Sequence, residues 1–254
     1  MKGLIPTIFI DEQYKLERNN VHSQKPGSPT NNDGIPIIDL TGVDDDPNFR
    51  CEIVKKVGEA CEKSGFFQVI NHGIPLATTD EMINGVRRFY EQDGEAKKRF
   101  ILEIAPRKCI IIVTSIFTRR KQPVGGILCV VLWHLATLFL KNCLQFAEYS
   151  SKMMKLGQTL LELMSKALGL NRSYLEDIGC GEGMLVKCHY YPPYPGPDLT
   201  LGSRSHTDTG FCTVVLQDEI GGLQILYQHQ WLDVNPVRGA LVENLGDMMQ
   251  ASPP

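Results

Sequence analysis

Two residues, His206 and Asp208, carry the clearest chemistry in the sequence. They flank Thr207, so on an extended strand an imidazole and a carboxylate leave the same side of the chain. One segment that supplies both is two thirds of the 2-His-1-carboxylate facial triad, the ligand set that leaves the opposite positions open on a non-haem Fe(II). A second histidine further along would complete it. After Asp208 the only histidine is His229, within Tyr227-Gln228-His229-Gln230-Trp231. That stretch reads as a hairpin tip between two strands, and its histidine as a solvated turn residue. His72 closes a predicted strand and reads as its cap. His22 falls in a polar stretch and His134 in an anomalous one, and none of these has a partner at ligand spacing.

The elements that must position the pair follow from periodicity. Ile53, Val54, Val57, Ala60 and Cys61 recur at helical spacing with Lys and Glu opposite and Gly65 beyond. A buried strand, residues 66–70, ends in Asn71-His72-Gly73. Further helices are predicted over 79–98 and 149–168, the second with Gly169 past its end. From Met184 the period changes to two, which predicts strands over 184–191, 211–216, 222–227 and 231–234. Helices followed by antiparallel strands predict an α+β fold with a β-sandwich or jelly-roll core. Residues 1–34 read as a disordered tail, because 19–34 is dominated by Asn, Ser, Pro, Gly and Asp and cannot bury enough apolar surface to offset its ordering entropy.

Bulk composition narrows the function classes. With 254 residues, 43% apolar and 22% charged, the chain suits one sizeable soluble domain or two small ones. A net charge of -3 gives no support to nucleic-acid binding or to a membrane-surface role. None of the eight cysteines forms a C-x-x-C pair and the N-terminal apolar run reads as too short for a secretory signal, so reduced cytosolic thiols are expected and a zinc site is not.

One segment departs from the rest. Between Ile104 and Ala147 no acidic residue occurs, while Arg107, Lys108, Arg119, Arg120, Lys121 and Lys141 do. An uncharged run over 124–140 contains Gly125-Gly126 and is short for a membrane span, which needs about 20 apolar residues. A buried core helix is the second reading, and a third depends on family likeness.

Ile35-Pro36-Ile37-Ile38-Asp39-Leu40 and Gly65-Phe66-Phe67-Gln68-Val69-Ile70-Asn71-His72-Gly73-Ile74 stand early in the chain. Tyr190-Tyr191-Pro192-Pro193, Leu201-Gly202, His206-Thr207-Asp208, Gly221-Gly222-Leu223-Gln224 and Gly246-Asp247 follow in order. Together these resemble the plant 2-oxoglutarate- and Fe(II)-dependent dioxygenases, and within them the 1-aminocyclopropane-1-carboxylate oxidase homologue group. The likeness covers roughly residues 35–100 and 149–250. It implies a double-stranded β-helix core packed on N-terminal helices. It also implies Fe(II) on His206 and Asp208, with the Tyr191 hydroxyl on a carboxylate of the co-substrate 2-oxoglutarate. His189 stands where many members carry Asn. Oxidative decarboxylation to succinate and CO2 then drives oxidation of a small-molecule substrate, with ascorbate as an expected reductant.

Members of the family place a distal histidine and an Arg-x-Ser pair beyond Gly246-Asp247, the arginine fork holding the far carboxylate of 2-oxoglutarate. This sequence has no counterpart to either. The expectation is therefore an oxidoreductase by descent, its final barrel strands missing, inactive as 254 residues and monomeric if folded. The alternative is a non-catalytic truncated product or pseudoenzyme. Members also carry Ser-Asn-Phe-Asp and Trp-Arg-Asp-Thr in the region matching 104–147, and neither appears. Val124 to Leu128 can be encoded GTT GGA GGG ATA CTT, which read from its third base contains TGG AGG GAT ACT, or Trp-Arg-Asp-Thr. Ile112 to Phe117, encoded ATA GTA ACT TCG ATT TTT, yields Ser-Asn-Phe-Asp-Phe in the same shifted frame. Roughly 101–145 is thus expected to be a frame-shifted translation, within a segment 101–148 that separates the 35–100 region from the 149–254 domain. Residues 251–254 are expected to read through a wrong exon boundary.

Overall fold

The computed structural model describes residues 3–10, 35–91, 93, 114–115, 127–132, 144–181, 184–191, 203 and 205–250. α1 (Pro47–Lys63) starts where Asp46 accepts a hydrogen bond from the Asn48 N–H and Pro47 sets the first turn. Ile53, Val57 and Ala60 form its buried stripe. It ends before Gly65, whose φ of +69° favours glycine. α2 (Leu76–Glu91) and α3 (Leu144–Ala167) complete the helical layer, α3 burying Tyr149, Met153, Leu160 and Met164. Gly58 lets α1 approach Ala167, whose Cβ lies 3.2 Å from the place a Gly58 Cβ would take. Glu162 accepts from Arg50 at 2.6 Å and pairs with Arg172 at 2.7 Å, which ties α1 to α3. A short helix, α4 (Tyr174–Asp177), follows.

The strands are β1 (Gly3–Ile10), β2 (Ile37–Asp39), β3 (Phe66–Ile70), β4 (Thr114–Ser115), β5 (Ile127–Leu132), β6 (Leu185–Tyr191) and β7 (Cys212–Val215). A hairpin, β8 (Gln224–Tyr227) and β9 (Gln230–Asp233), precedes β10 (Leu241–Leu245) and a terminal turn of helix, α5 (Asp247–Gln250). One eight-stranded sheet runs β2-β3-β10-β7-β1-β6-β5-β4, parallel only between β2 and β3, and β8-β9 pairs apart from it.

Alternation sorts the central strands onto two faces. Phe67, Val69, Val186, Cys188, Tyr190, Cys212, Val214 and Leu241 lie in the core shared with the helices. Val215 and Val242 lie on the other face, packed with Ile225 and Val234 of the hairpin region. α2 fixes β6 from the helix side. The Tyr90 hydroxyl donates to the Cys188 carbonyl at 2.6 Å, and Tyr90 stacks on Tyr190 with ring centroids 5.1 Å apart. Those contacts turn His189 and Tyr191 to the opposite face, where the chemistry is.

The α+β expectation holds, and two local expectations do not. The tail expected over 1–34 fails for Gly3–Ile10, which pair antiparallel with β6 on one side and β7 on the other. The polar composition that suggested a tail is confined to 19–34, whereas 4–10 holds β-branched and aromatic residues that suit strands. Pro6, which has no N–H to give, lies just outside the residues paired with β7. The helical readings of 124–140 fail over Ile127–Leu132, a strand paired along β6. Residues 11–34 and the remainder of 101–143, apart from Thr114–Ser115, lie outside the described residues. Among the described residues no helix is long and apolar enough to cross a membrane.

Candidate metal centre

His206 and Asp208 sit on an irregular segment just before β7, not within a strand. The extended strand expected for them does not form; the backbone of this segment pairs instead with Gly246 and Asp247, just past β10. The Asp247 N–H donates to the Asp208 carbonyl at 2.7 Å, and the Gly246 N–H to the Phe211 carbonyl at 2.8 Å. The Thr207 hydroxyl donates to Asp247 Oδ2 at 3.0 Å. Gly246 has to be glycine: a Cβ there would lie 2.0 Å from the Gly210 carbonyl oxygen and 2.9 Å from that of Asp208. Gly246-Asp247, a recognisable pair in the sequence, thus clasps the segment that carries His206 and Asp208.

The side chains of the pair still converge. His206 Nε2 lies 3.6 Å from Asp208 Oδ1, with the imidazole largely exposed and the carboxylate 13% exposed. The other oxygen, Oδ2, accepts a hydrogen bond from the Asn244 amide at 2.8 Å. Asn244 is buried on β10, directly across from Thr213 on β7. Thr213 is wholly buried on the same face, and its hydroxyl has no hydrogen-bond partner among the described residues. A buried hydroxyl without a partner is costly.

His189 and Tyr191 line the same face on β6, their rings stacked with centroids 6.1 Å apart and planes 9° apart. Burial pushes the His189 imidazole down to about 4, with Lys187 and His206 adding to the effect and Asp208 opposing it. His189 is thus neutral and within electrostatic reach of both candidate ligands. Burial pushes the Tyr191 phenol up to about 12, so it stays a hydrogen-bond donor.

The other histidines are placed elsewhere. His229 occupies the exposed β8–β9 turn with φ of +66°. His72 caps a turn: its Nε2–H donates to the Gly239 carbonyl at 2.8 Å, and its Nδ1 accepts from the Ile74 N–H at 3.3 Å. His22 and His134 lie outside the described residues.

Two donors bound cis to one ion at bond lengths near 2.1 Å stand about 3 Å apart, so the pair needs to close by roughly half an ångström to share a metal. An imidazole nitrogen and a carboxylate oxygen also match the donor types that non-haem Fe(II) takes. The residues therefore fit two adjacent positions of such an ion. Among the described residues no group of three His, Cys, Asp or Glu is placed to hold a metal.

The 2OG-Fe(II) oxygenase superfamily model matches residues 182–254, and that of the non-haem dioxygenase in morphine synthesis N-terminal region matches 35–124. The 1-aminocyclopropane-1-carboxylate oxidase homolog 1 of Arabidopsis thaliana is 45% identical over 98% of this chain and 70% of its own length. The chain belongs to the 2OG-Fe(II) oxygenase superfamily. Deacetoxyvindoline 4-hydroxylase of Catharanthus roseus, another member, is 39% identical over 97% of this chain and 62% of its own length. The chain thus spans about two thirds of the length of these relatives. Among solved 2OG-Fe(II) oxygenases, JOX2 in complex with 2OG, Fe and JA superposes with a TM-score of 0.71 at 29% identity, over 91% of this chain and 72% of that one. Dioxygenase for auxin oxidation 1 from Arabidopsis thaliana, in a 2-oxoglutarate complex, shares the fold at a TM-score of 0.67 and 24% identity, over 85% of this chain and 81% of that one. The fold class is that of these neighbours, the double-stranded β-helix.

The site residues read from sequence, His206, Asp208 and Tyr191, all belong to the sheet face away from the helices or to the loop at its end. Sequence reading missed Asn244 and Thr213. Its only available signal for Asn244 was a position two residues before Gly246-Asp247.

Proposed function

We propose that the protein is an Fe(II)- and 2-oxoglutarate-dependent oxidoreductase acting on a small molecule of plant specialised or hormone metabolism. The observation that carries this reading is the convergence of His206 Nε2 and Asp208 Oδ1 on the helix-free face of a family-typical sheet. His206 and Asp208 would hold the metal, and Tyr191 would donate its hydroxyl to a carboxylate of 2-oxoglutarate. When bound, Fe(II) and 2-oxoglutarate supply the oxidising chemistry. The chain's own part is to present two ligands, keep His189 neutral beside them, and offer the half-buried Tyr191 hydroxyl as a polar anchor. Ascorbate is proposed as the reductant that maintains Fe(II), and a cytoplasmic monomer as the working form.

A second reading is favoured by one observation: the described residues bring together two ligands and not three. On that reading residues 1–254 by themselves are non-catalytic. Losing groups that merely orient ligands already costs about 10–100-fold in affinity or activity, and a missing ligand should cost more. Succinate formation by the 254-residue chain, with Fe(II), 2-oxoglutarate and ascorbate, separates the two. We expect none above a His206→Ala control, with metal still bound by the unaltered chain. Turnover above that control restores the catalytic reading for these residues alone. Absence of metal binding removes the catalytic reading and leaves the second.

A further inference from the structure

Asp208 is held at both its backbone and its side chain by residues of one short stretch, Asn244 to Asp247, none of which is a candidate ligand. We infer that Asn244 is a positioning residue for the metal pair, its amide occupying Asp208 Oδ2 so that Oδ1 alone is presented beside His206 Nε2. The inference rests on reading His206 and Asp208 as ligands.

Carboxylates bind metals through one oxygen or two. An Asp208 with both oxygens free could chelate and fill a position that co-substrate or O2 needs. With Oδ2 engaged at 2.8 Å by a neutral donor, coordination is limited to one oxygen. The donor itself is well fixed. Asn244 is 8% exposed and lies in register with Thr213 of β7 and Phe66 of β3, in the middle of the sheet. The clasp by Gly246 and Asp247 then sets the height of the Asp208 backbone against β10. One strand end thus places both the carboxylate and the oxygen it must not use. Glu243, the neighbour of Asn244, points to the opposite, helix-covered face, so the two roles do not interfere.

The test is Co(II) titration of the full chain, following both affinity and visible d–d absorption, which reports coordination number. Wild type, Asn244→Ala, Asn244→Leu and His206→Ala are compared. Removing the Asn244 donor is expected to weaken Co(II) binding by ~10–100-fold. It should also lower the absorptivity, as a second carboxylate oxygen joins the ion, with a single cooperative urea transition kept in the variant that refills the volume, Asn244→Leu. An unchanged spectrum and affinity in both Asn244 variants, with His206→Ala losing binding, overturns the positioning role and leaves the ligand pair standing. Binding that His206→Ala does not affect overturns the ligand pair and the inference with it.

Discussion

Glu243→Gln should stabilise the protein increasingly as the pH rises from 5 to 8.5. Glu243 is wholly buried in β10, and among the described residues neither carboxyl oxygen has a partner stronger than a thiol. The polar group beside it is the Cys212 thiol, a weak donor. Burial pushes its carboxyl from 4.5 up to about 8. The folded chain therefore holds a proton that the unfolded chain releases anywhere between those values, and stability falls as pH rises through that window. At about 1.4 kcal/mol per pH unit the ionised carboxylate opposes folding by on the order of 4–5 kcal/mol at pH 8 and above, and by almost nothing at pH 4.5. Cys61 and Cys212, the thiols that face it, are themselves pushed upward, Cys61 to about 12, so they stay neutral over this range. The glutamine has the same shape and no charge to lose. Urea unfolding of both proteins at half-unit pH steps isolates the group, because every other titration cancels in the difference. A difference that widens by several kcal/mol between pH 5 and 8.5 is expected. Curves that run parallel within about 0.5 kcal/mol would refute the claim that an unpaired acid is buried there.

Gly246→Ala should lower the unfolding free energy by about 1–3 kcal/mol and abolish metal binding, because its Cβ meets backbone at Gly210 and Asp208 rather than a movable side chain. An unchanged urea midpoint would contradict the clasp. Deleting residues 1–10 should cost the cooperative unfolding transition and much of the soluble yield, since β1 is the strand that joins β6 to β7. A monodisperse, cooperatively unfolding deletion would show the strand to be dispensable. Transcript sequencing across codons 101–145 should reveal a base inserted or lost at each side of that stretch, restoring Ser-Asn-Phe-Asp and Trp-Arg-Asp-Thr. One intact frame shared with close relatives would sink the frame-shift reading.

Local pattern carried much of this. The helical stripe Ile53, Val57, Ala60 and the strands over 184–191, 211–216, 222–227 and 231–234 were visible because each is a local run of apolar residues bounded by Gly, Pro or Asp or repeating at helical spacing. β10 was not, because Glu243 and Asn244 interrupt an apolar run and look solvated until the sheet covers one and Asp208 takes the other. β1 was hidden by the polar residues that follow it. For the site, His206 and Asp208 were legible from spacing, although the strand assumed for them is a clasped loop. Asn244 and Thr213 act through cross-strand register between segments over thirty residues apart, which no local pattern encodes.

Metal binding at His206 and Asp208 is the claim on which the rest stands. Mn(II) titration of the full chain, with the free ion counted by its electron paramagnetic resonance signal, measures it directly. One bound Mn(II) per chain, lost in both His206→Ala and Asp208→Ala, is the predicted result. Equal binding by the chain and both variants, or none by any of them, would contradict it.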